Sequence, residues 1–418
     1  MNKVYLCIDL KTFFASVECV ERKLDPFKTD LVVADPSRGR GAICLAISPK
    51  MKARGIKNRC RIFEIPKGLK YIVAKPRMKK YIEYSAKVYG VYLKYVSKDD
   101  IHVYSIDECF LDITDYLMLY QKAPIEIAEM IIDDVIKTTG ITASAGIGTN
   151  MFLAKIALDI TAKHSSSNIG YLDEEKFKEE LWHHKPLTDF WQIGRGIETR
   201  LNKLGLYDLY DVAHSDESIL FKEFGINARY LIDHSKGIET CTIKDIKEYR
   251  PKSKSISNSQ ILFEDYSYRK ARIVLTEMID YMCARIVKEK KVAGTIGVFI
   301  GYSKEVIPPL SFTKKLDNPS NSFSKLSTLI LKEYDDRIDK ETPIRKIGIT
   351  LGDLQERRYE QMDLFSNPNN EINDEKLTEV MNKIKERFGK NAILRGISYM
   401  EGATQKERNK LIGGHNAE

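Results

Sequence analysis

Asp107 and Glu108 stand side by side between two apolar runs, 103–106 and 109–113. The pattern predicts a hairpin with adjacent carboxylates at its bend. Like charges this close repel, and a buried strand end does not tolerate them unpaired. A divalent cation bound through oxygen answers that demand. Magnesium takes one or two carboxylates plus substrate phosphates, which suits a pair. An acidic surface turn is the rival reading. The residue that breaks the tie is Asp9, at the end of the short apolar run Val4-Tyr5-Leu6-Cys7-Ile8. Thr12 is then placed to cap a helix through Phe13, Phe14, Ala15, Val17 and Cys19, whose N-terminus favours phosphate oxygens. Alone, an Asp at a strand end is usually a turn former. If the sheet sets Asp9 beside Asp107 and Glu108, three carboxylates converge on a site for two magnesium ions. Such a site clamps the attacking and leaving oxygens of a phosphoryl transfer.

Periodicity supplies the elements that would bring them together. Ile125, Ala128, Ile131, Ile132, Val135 and Ile136 recur at helical spacing, followed by a strand over 141–147 and a helix from about Met151 to Ala162. With the first strand and helix, the order is βαββαβ, the ferredoxin-like arrangement of an α+β fold. There the first strand lies beside the hairpin at the sheet centre, so Asp9 and Asp107 become neighbours. Between the halves sits an insertion with strands over 31–34 and 42–46, a basic Gly-rich turn over 37–41 and a short basic helix over 48–55. That module could hold a triphosphate through Lys52 or Arg54; a solvated charged face is the plainer reading. A Tyr-rich helix opens at Pro76. Tyr81, Ser85, Val88 and Tyr92 share one of its faces, which predicts packing on the sheet rather than base stacking.

Residues 171–237 read as short helices. Trp191-Gln192-Ile193-Gly194-Arg195-Gly196-Ile197 predicts a tight turn resembling a helix-hairpin-helix, in which Gly194 and Gly196 offer backbone N–H groups to a DNA phosphate. A plain helical turn is the alternative. His183-His184 lacks neighbouring Cys or acidic spacing and is read as surface or core, not metal. After a polar tether over 239–251, strands over 255–263, 294–302, 310–316 and 344–351 alternate with helices over 268–290 and 323–338, again βαββαβ. Arg250, Lys252, Lys254, Lys314, Lys315, Arg345 and Lys346 at its strand ends suit a duplex backbone, with affinity that falls as salt rises; a solvated face competes. Gln361-Met362-Asp363-Leu364-Phe365 sets a Leu-Phe pair before a polar run and reads as a docking peptide for a partner's apolar groove. An amphipathic helix follows, with Leu377, Val380, Met381, Ile384 and Phe388 on one face and a stop at Gly389. Residues 403–418 suggest no role.

The 418 residues predict three or four domains, and the net charge of +8 suits a polyanionic partner. Seven scattered cysteines without a CxxC pair argue against a disulfide framework or zinc site and favour a reducing cytosol. Met1-Asn2-Lys3 runs straight into a strand, and no apolar run is long enough to cross a bilayer. The expectation is a cytoplasmic protein with neither signal peptide nor membrane span.

Ile8-Asp9-Leu10-Lys11-Thr12-Phe13-Phe14-Ala15-Ser16-Val17-Glu18, together with Ser105-Ile106-Asp107-Glu108-Cys109-Phe110-Leu111-Asp112, strongly resembles the Y-family, lesion-bypass DNA polymerases, and most the UmuC-like branch of Gram-positive bacteria and their mobile elements. The resemblance covers nearly the whole chain. It implies a right-hand polymerase: a ferredoxin-like palm over 1–24 and 78–170, inserted fingers over 25–77, and a helix-hairpin-helix thumb over 171–238. A linker over 239–251, a second βαββαβ little finger over 252–356 and a tail over 357–418 complete it. It implies that Asp9, Asp107 and Glu108 ligate two Mg2+ ions, helped by the carbonyl of Leu10. Phe14 falls at the steric gate that collides with a ribose 2′-OH, and Phe13 stacks beneath the sugar. Lys52 and Lys163 fall at or near basic triphosphate contacts. Pro49 stands where many relatives have a Tyr, and Lys155 to Lys163 is one residue longer than usual. Gln361, Met362, Leu364 and Phe365 look like the family's peptide for the replicative sliding clamp.

The implied activity is error-prone translesion synthesis on primer-template DNA with deoxynucleoside triphosphates, in a bacterial SOS response with possible accessory proteins. Two other classes compete. A non-catalytic DNA-binding repair scaffold would explain the charge but leave three carboxylates without purpose. A nucleotidyl cyclase shares the acidic ferredoxin-like platform but needs neither thumb nor clamp peptide.

Overall fold

Asp9 is the one residue of strand β1 (Tyr5–Leu10) that is not buried. The structure is a computed structural model that describes residues 3–251, 254–303, 307–357 and 368–418. The chain divides into two units, residues 1–249 with 415–418, and residues 250–414.

In the first unit β1 leads into α1 (Phe13–Glu21), which begins differently from expectation. Thr12 takes the N-cap position with a left-handed φ of 46° and no side-chain cap; its hydroxyl pairs instead with Ser16 Oγ at 3.1 Å. The insertion follows as β2 (Leu31–Val33), β3 (Ala46–Ile47), α2 (Pro49–Ala53) and β4 (Ile72–Ala74). It forms a three-stranded sheet in the order β3-β2-β4, with its own core around Val32, Cys44, Ile47 and Met51. The strand expected over 42–46 is shorter: beyond β3 it makes only the bridge from Ile43 to Arg61. Next come α3 (Met78–Tyr92), β5 (Ile101–Val103), β6 (Glu108–Asp112), α4 (Tyr116–Tyr120), α5 (Pro124–Thr139), β7 (Ala143–Gly148), α6 (Met151–Asp159) and β8 (Ile169–Leu172).

The main sheet runs β5-β6-β1-β7-β8, with β1 antiparallel to both β6 and β7. Its first four strands are the ferredoxin-like set. Strand β8, parallel to β7, is an addition that the short run 169–172 did not announce. Tyr81, Val88 and Tyr92 of α3 are buried in its core, as their shared face predicts. Helix α6 lies directly on the strands. A Cβ on Gly146 would come within 2.0 Å of the Ala154 carbonyl oxygen, and one on Gly148 within 2.2 Å of the Ala154 nitrogen. The helix stops at Asp159 rather than 162, and a 3₁₀ turn, Thr161–His164, carries Lys163.

Six helices complete the unit: α7 (Glu174–Leu181), α8 (Arg195–Lys203), α9 (Leu209–His214), α10 (Glu217–Phe224), α11 (Ala228–Ser235) and α12 (Ile243–Glu248). Helix α12 stands in the stretch expected as a tether, because Thr242 and Asp245 form a capping box there. His183 pairs with Asp208 and His184 with Asp189. Residues 415–418 close on α3, where Lys79 N donates to the Ala417 carbonyl at 2.9 Å.

The second unit contains β9 (Ile256–Tyr266), α13 (Tyr268–Lys288), β10 (Lys291–Tyr302), β11 (Leu310–Ser320), α14 (Phe323–Arg337) and β12 (Ile344–Glu356). The element order is βαββαβ, yet the antiparallel sheet runs β11-β10-β12-β9. Ile296, Val298 and Ile300 of β10 face the core. Helix α15 (Pro368–Phe388) docks by the opposite logic to the predicted one: of its expected apolar stripe only Met381 is buried, while Leu377, Val380 and Phe388 stay exposed. Asp374 instead accepts from Ser324 N at 2.9 Å and Ser322 Oγ at 2.8 Å, and buried Glu375 accepts from Asn321 at 3.1 Å. The first turn of α14 needs acceptors for its free N–H groups: Asp374 supplies one at Ser324 and the Ser322 cap another at Lys325.

Candidate active site

Strand register sets Asp9 opposite Glu108, and Leu10 N donates to the Asp107 carbonyl at 3.0 Å. The end of β1 and the acidic bend are thus adjacent. Leu10 itself is buried. Ser105 Oγ donates to Asp107 Oδ1 at 2.7 Å and steadies that carboxylate. Burial, then the charges of Asp107 and Glu108, push the Asp9 carboxyl up to about 7, against an opposing pull from Lys155. A carboxyl lifted this far lacks compensating positive charge.

Glu108 is buried and bonded to α6. Its Oε1 meets Lys155 Nζ at 2.8 Å and accepts from Cys7 Sγ at 3.1 Å. Lys155 also reaches Asp159 at 3.1 Å. Burial alone would lower the Lys155 ammonium, but Asp159, Cys7 and Glu108 hold it above its ordinary value. Among the described residues no three acidic, His or Cys side chains already meet at ligand spacing. The donor chemistry fits: the groups are hard oxygens, and Asp9 is short of positive charge. Lys155 is the residue sequence reasoning missed. Its only advance signal was Gly146-x-Gly148, which lets α6 press on the sheet and carry Lys155 to Glu108.

Phe14, on α1, is partly buried against the core of the first unit. Its ring stacks on Tyr81 at 4.5 Å and 17°, while Phe13 is buried in the core. Tyr81 in turn donates to Glu18 at 2.8 Å, and Arg77 grips the same carboxylate through two nitrogens at 2.9 and 3.0 Å. Lys52, exposed on α2, is lowered by its surroundings and by Lys163, with Asp9 pulling the other way. Lys11, bonded to Asn168, is lowered by burial and by Lys52. Lys52 thus lies within electrostatic reach of Asp9, Lys11 and Lys163, and Lys11 is a residue that sequence reasoning did not nominate.

The sequence profile of the impB/mucB/samB family matches residues 8–159, and that of the family's C-terminal domain matches 253–364. The chain is 32% identical over 420 residues to UvrX of Bacillus subtilis, named for a candidate role in UV-damage repair, covering 99% of this chain and 98% of that protein. It is 31% identical to DNA polymerase IV 2 of the same organism, with 99% of each chain covered. The chain belongs to the Y family of DNA polymerases. A chimeric Y-family DNA polymerase of known structure has the same fold, with a TM-score of 0.64 at 22% identity over 84% of this chain and 99% of that one.

Elsewhere this Y-family chain places its expected residues unevenly. Gly194 caps α8 with a φ of −90°, and a Cβ on it or on Gly196 would meet nothing within 4 Å. Neither glycine is required by packing or by a left-handed backbone. The element before this turn is a single 3₁₀ turn, Leu187–Asp189, rather than a full helix. In the second unit the period of two reassigns the basic residues. Lys314 lies opposite core-facing Ile296 and pairs with Glu333 of α14 at 2.6 Å, while Arg345 pairs with Asp265 at 3.5 Å. Lys315, opposite Thr295, and Lys346, over the Phe299 ring at 5.0 Å, stand on the open face instead. Apart from the Phe299 ring that face is small and polar, with Ser257, Ser259, Gly297, Thr313 and Thr350 lining a shallow groove. Lys254 is exposed. Lys252 and the segment Gln361, Met362, Leu364 and Phe365 lie outside the described residues. No helix among the described residues is long and apolar enough to cross a membrane.

Proposed function

We propose that this chain is a template-directed DNA polymerase that extends primers across damaged bases by two-metal nucleotidyl transfer, with error-prone character in an SOS-type response. The carrying observation is the register that sets Asp9 opposite Glu108 and beside Asp107, with Asp9 lifted to about 7. Residues 1–24 and 78–170 are the palm on this reading, 25–77 the fingers, 171–238 the thumb and 252–356 the little finger.

Asp9, Asp107, Glu108 and the Leu10 carbonyl would hold two Mg2+ ions. Magnesium bound there would supply Lewis acidity toward the primer 3′-OH and charge neutralisation at the triphosphate. The chain's own groups do the rest. Ser105 orients Asp107, and Lys155 balances the charge of Glu108. Lys11, Lys52 and Lys163 meet the triphosphate. Phe14 excludes the 2′-OH, and its ring is stiff because Tyr81 is pinned by Glu18 and Arg77. Gly194 and Gly196 take a duplex phosphate, and Lys254, Lys315 and Lys346 take others. Gln361–Phe365 engages the sliding clamp.

Primer extension with Asp107→Ala and Glu108→Ala is the test. Both variants lose nucleotide addition while binding primer-template DNA as before; extension at the normal rate by either removes the assignment.

A further inference from the structure

Two residues next to the proposed machinery are joined in a way that reading does not use. Trp191 Nε1 donates to the Tyr104 hydroxyl at 2.9 Å, and their rings meet edge-on at 5.7 Å. Tyr104 is also tied to the acidic bend, since its backbone N donates to the Glu108 carbonyl at 3.0 Å. Trp191 sits three residues before Gly194, at the root of the turn that opens α8. Phe110, two residues past Glu108, is buried and touches both rings, at 5.8 Å from Tyr104 and 5.9 Å from Trp191. Backbone and side-chain contacts thus run unbroken from Glu108 through Tyr104 and Trp191 to the glycine turn. Ring packing alone does not need the hydroxyl–indole bond. Tyr104 is 45% exposed, where a phenylalanine would serve the apolar contacts as well.

We propose that Tyr104 and Trp191 are positioning residues forming a latch, through which a DNA backbone on the Gly194–Gly196 turn fixes the geometry of the Asp107–Glu108 bend. The proposal rests on the reading of those two places as phosphate contact and metal site. It implies a linkage: cation at the bend and DNA at the turn strengthen one another, each by the same factor.

Primer-template affinity, measured by fluorescence anisotropy with and without Mg2+ and without nucleotide, reads that linkage in the full chain. Single-nucleotide addition gives kcat and KM for DNA. The variants are Tyr104→Phe, Trp191→Phe and the double. Each keeps an aromatic ring, so packing is largely retained. Wild type binds DNA more tightly with Mg2+. Either single variant loses about threefold to fivefold of that gain, the worth of one neutral hydrogen bond. Its metal-free affinity stays within about twofold and its kcat falls by the same about threefold to fivefold, with KM for DNA held. The double is no worse than either single. Single variants indistinguishable from wild type, a multiplicative double, a loss confined to metal-free affinity, or a wild type whose DNA affinity ignores Mg2+ each overturn the latch. A wild type that binds DNA and Mg2+ in linkage but cannot extend a primer sinks the polymerase reading and leaves the latch standing.

Discussion

Glu18→Gln tests how the Phe14 ring is held. The Glu18 side chain has no solvent exposure, and its carboxylate accepts from Tyr81, from Arg77 through two nitrogens and from Arg22. Breaking a buried ion pair from one side costs about 3–5 kcal/mol. Here the arginines are 30% and 36% exposed and regain water when released, and glutamine keeps one acceptor. The cost is therefore about 2 kcal/mol, or roughly 4–8 °C in the melting of a body of this size. Burial alone would raise the Glu18 carboxyl, but the hydrogen bonds from Arg77, Arg22 and Tyr81 hold it below its ordinary 4.5. A depressed carboxyl contributes stability that is present above that value and fades as pH falls through the lower, folded one. Thermal unfolding of both proteins at pH 7.5 and near pH 3 reads this directly: a gap at the higher pH that narrows at the lower. The second readout is sugar choice. With Tyr81 unpinned, Phe14 gains freedom, so ribonucleotide incorporation rises toward the level of Phe14→Ala, which removes the ring. Equal melting at pH 7.5, or sugar discrimination unchanged in both variants, refutes the reasoning.

Lys315→Ala and Lys346→Ala each weaken DNA binding and lower the salt slope by about 0.9 per lost phosphate contact, whereas Lys314→Ala leaves both alone; salt titrations of affinity decide it. Gly146→Ala forces a Cβ against the Ala154 carbonyl and costs about 3 kcal/mol, read as a lower denaturation midpoint with Glu108 and Lys155 displaced. Deleting Gln361–Phe365 shortens products made with the sliding clamp and spares unassisted extension; equal loss in both assays contradicts the docking role.

The adjacency of Asp9 and the acidic bend was legible because alternating burial and helical spacing together specify which strands are central. What lay beyond reach was decided by side-chain direction and by contacts with no local signature. Lys314 and Lys315 are neighbours in sequence, yet a strand turns them to opposite faces, and composition alone offers no way to choose between them. Lys155 looks like any lysine on an apolar helix until the helix is seen pressed on two glycines. Helix α15 carries an apolar stripe but turns Asp374 and Glu375 toward Ser322, Ser324 and Asn321, contacts that its own sequence does not signal. Thr12 reads as a cap by type; its left-handed backbone turns the hydroxyl elsewhere.

The two βαββαβ modules share an element order but not a weave. Numbered within each module, the first runs 2-3-1-4 and the second 3-2-4-1. The shared rhythm of elements therefore does not carry a shared wiring of the sheet. In the second module the first strand borders only the last, so its end does not lie beside the connection between the middle two strands, as Asp9 lies beside Asp107 in the first.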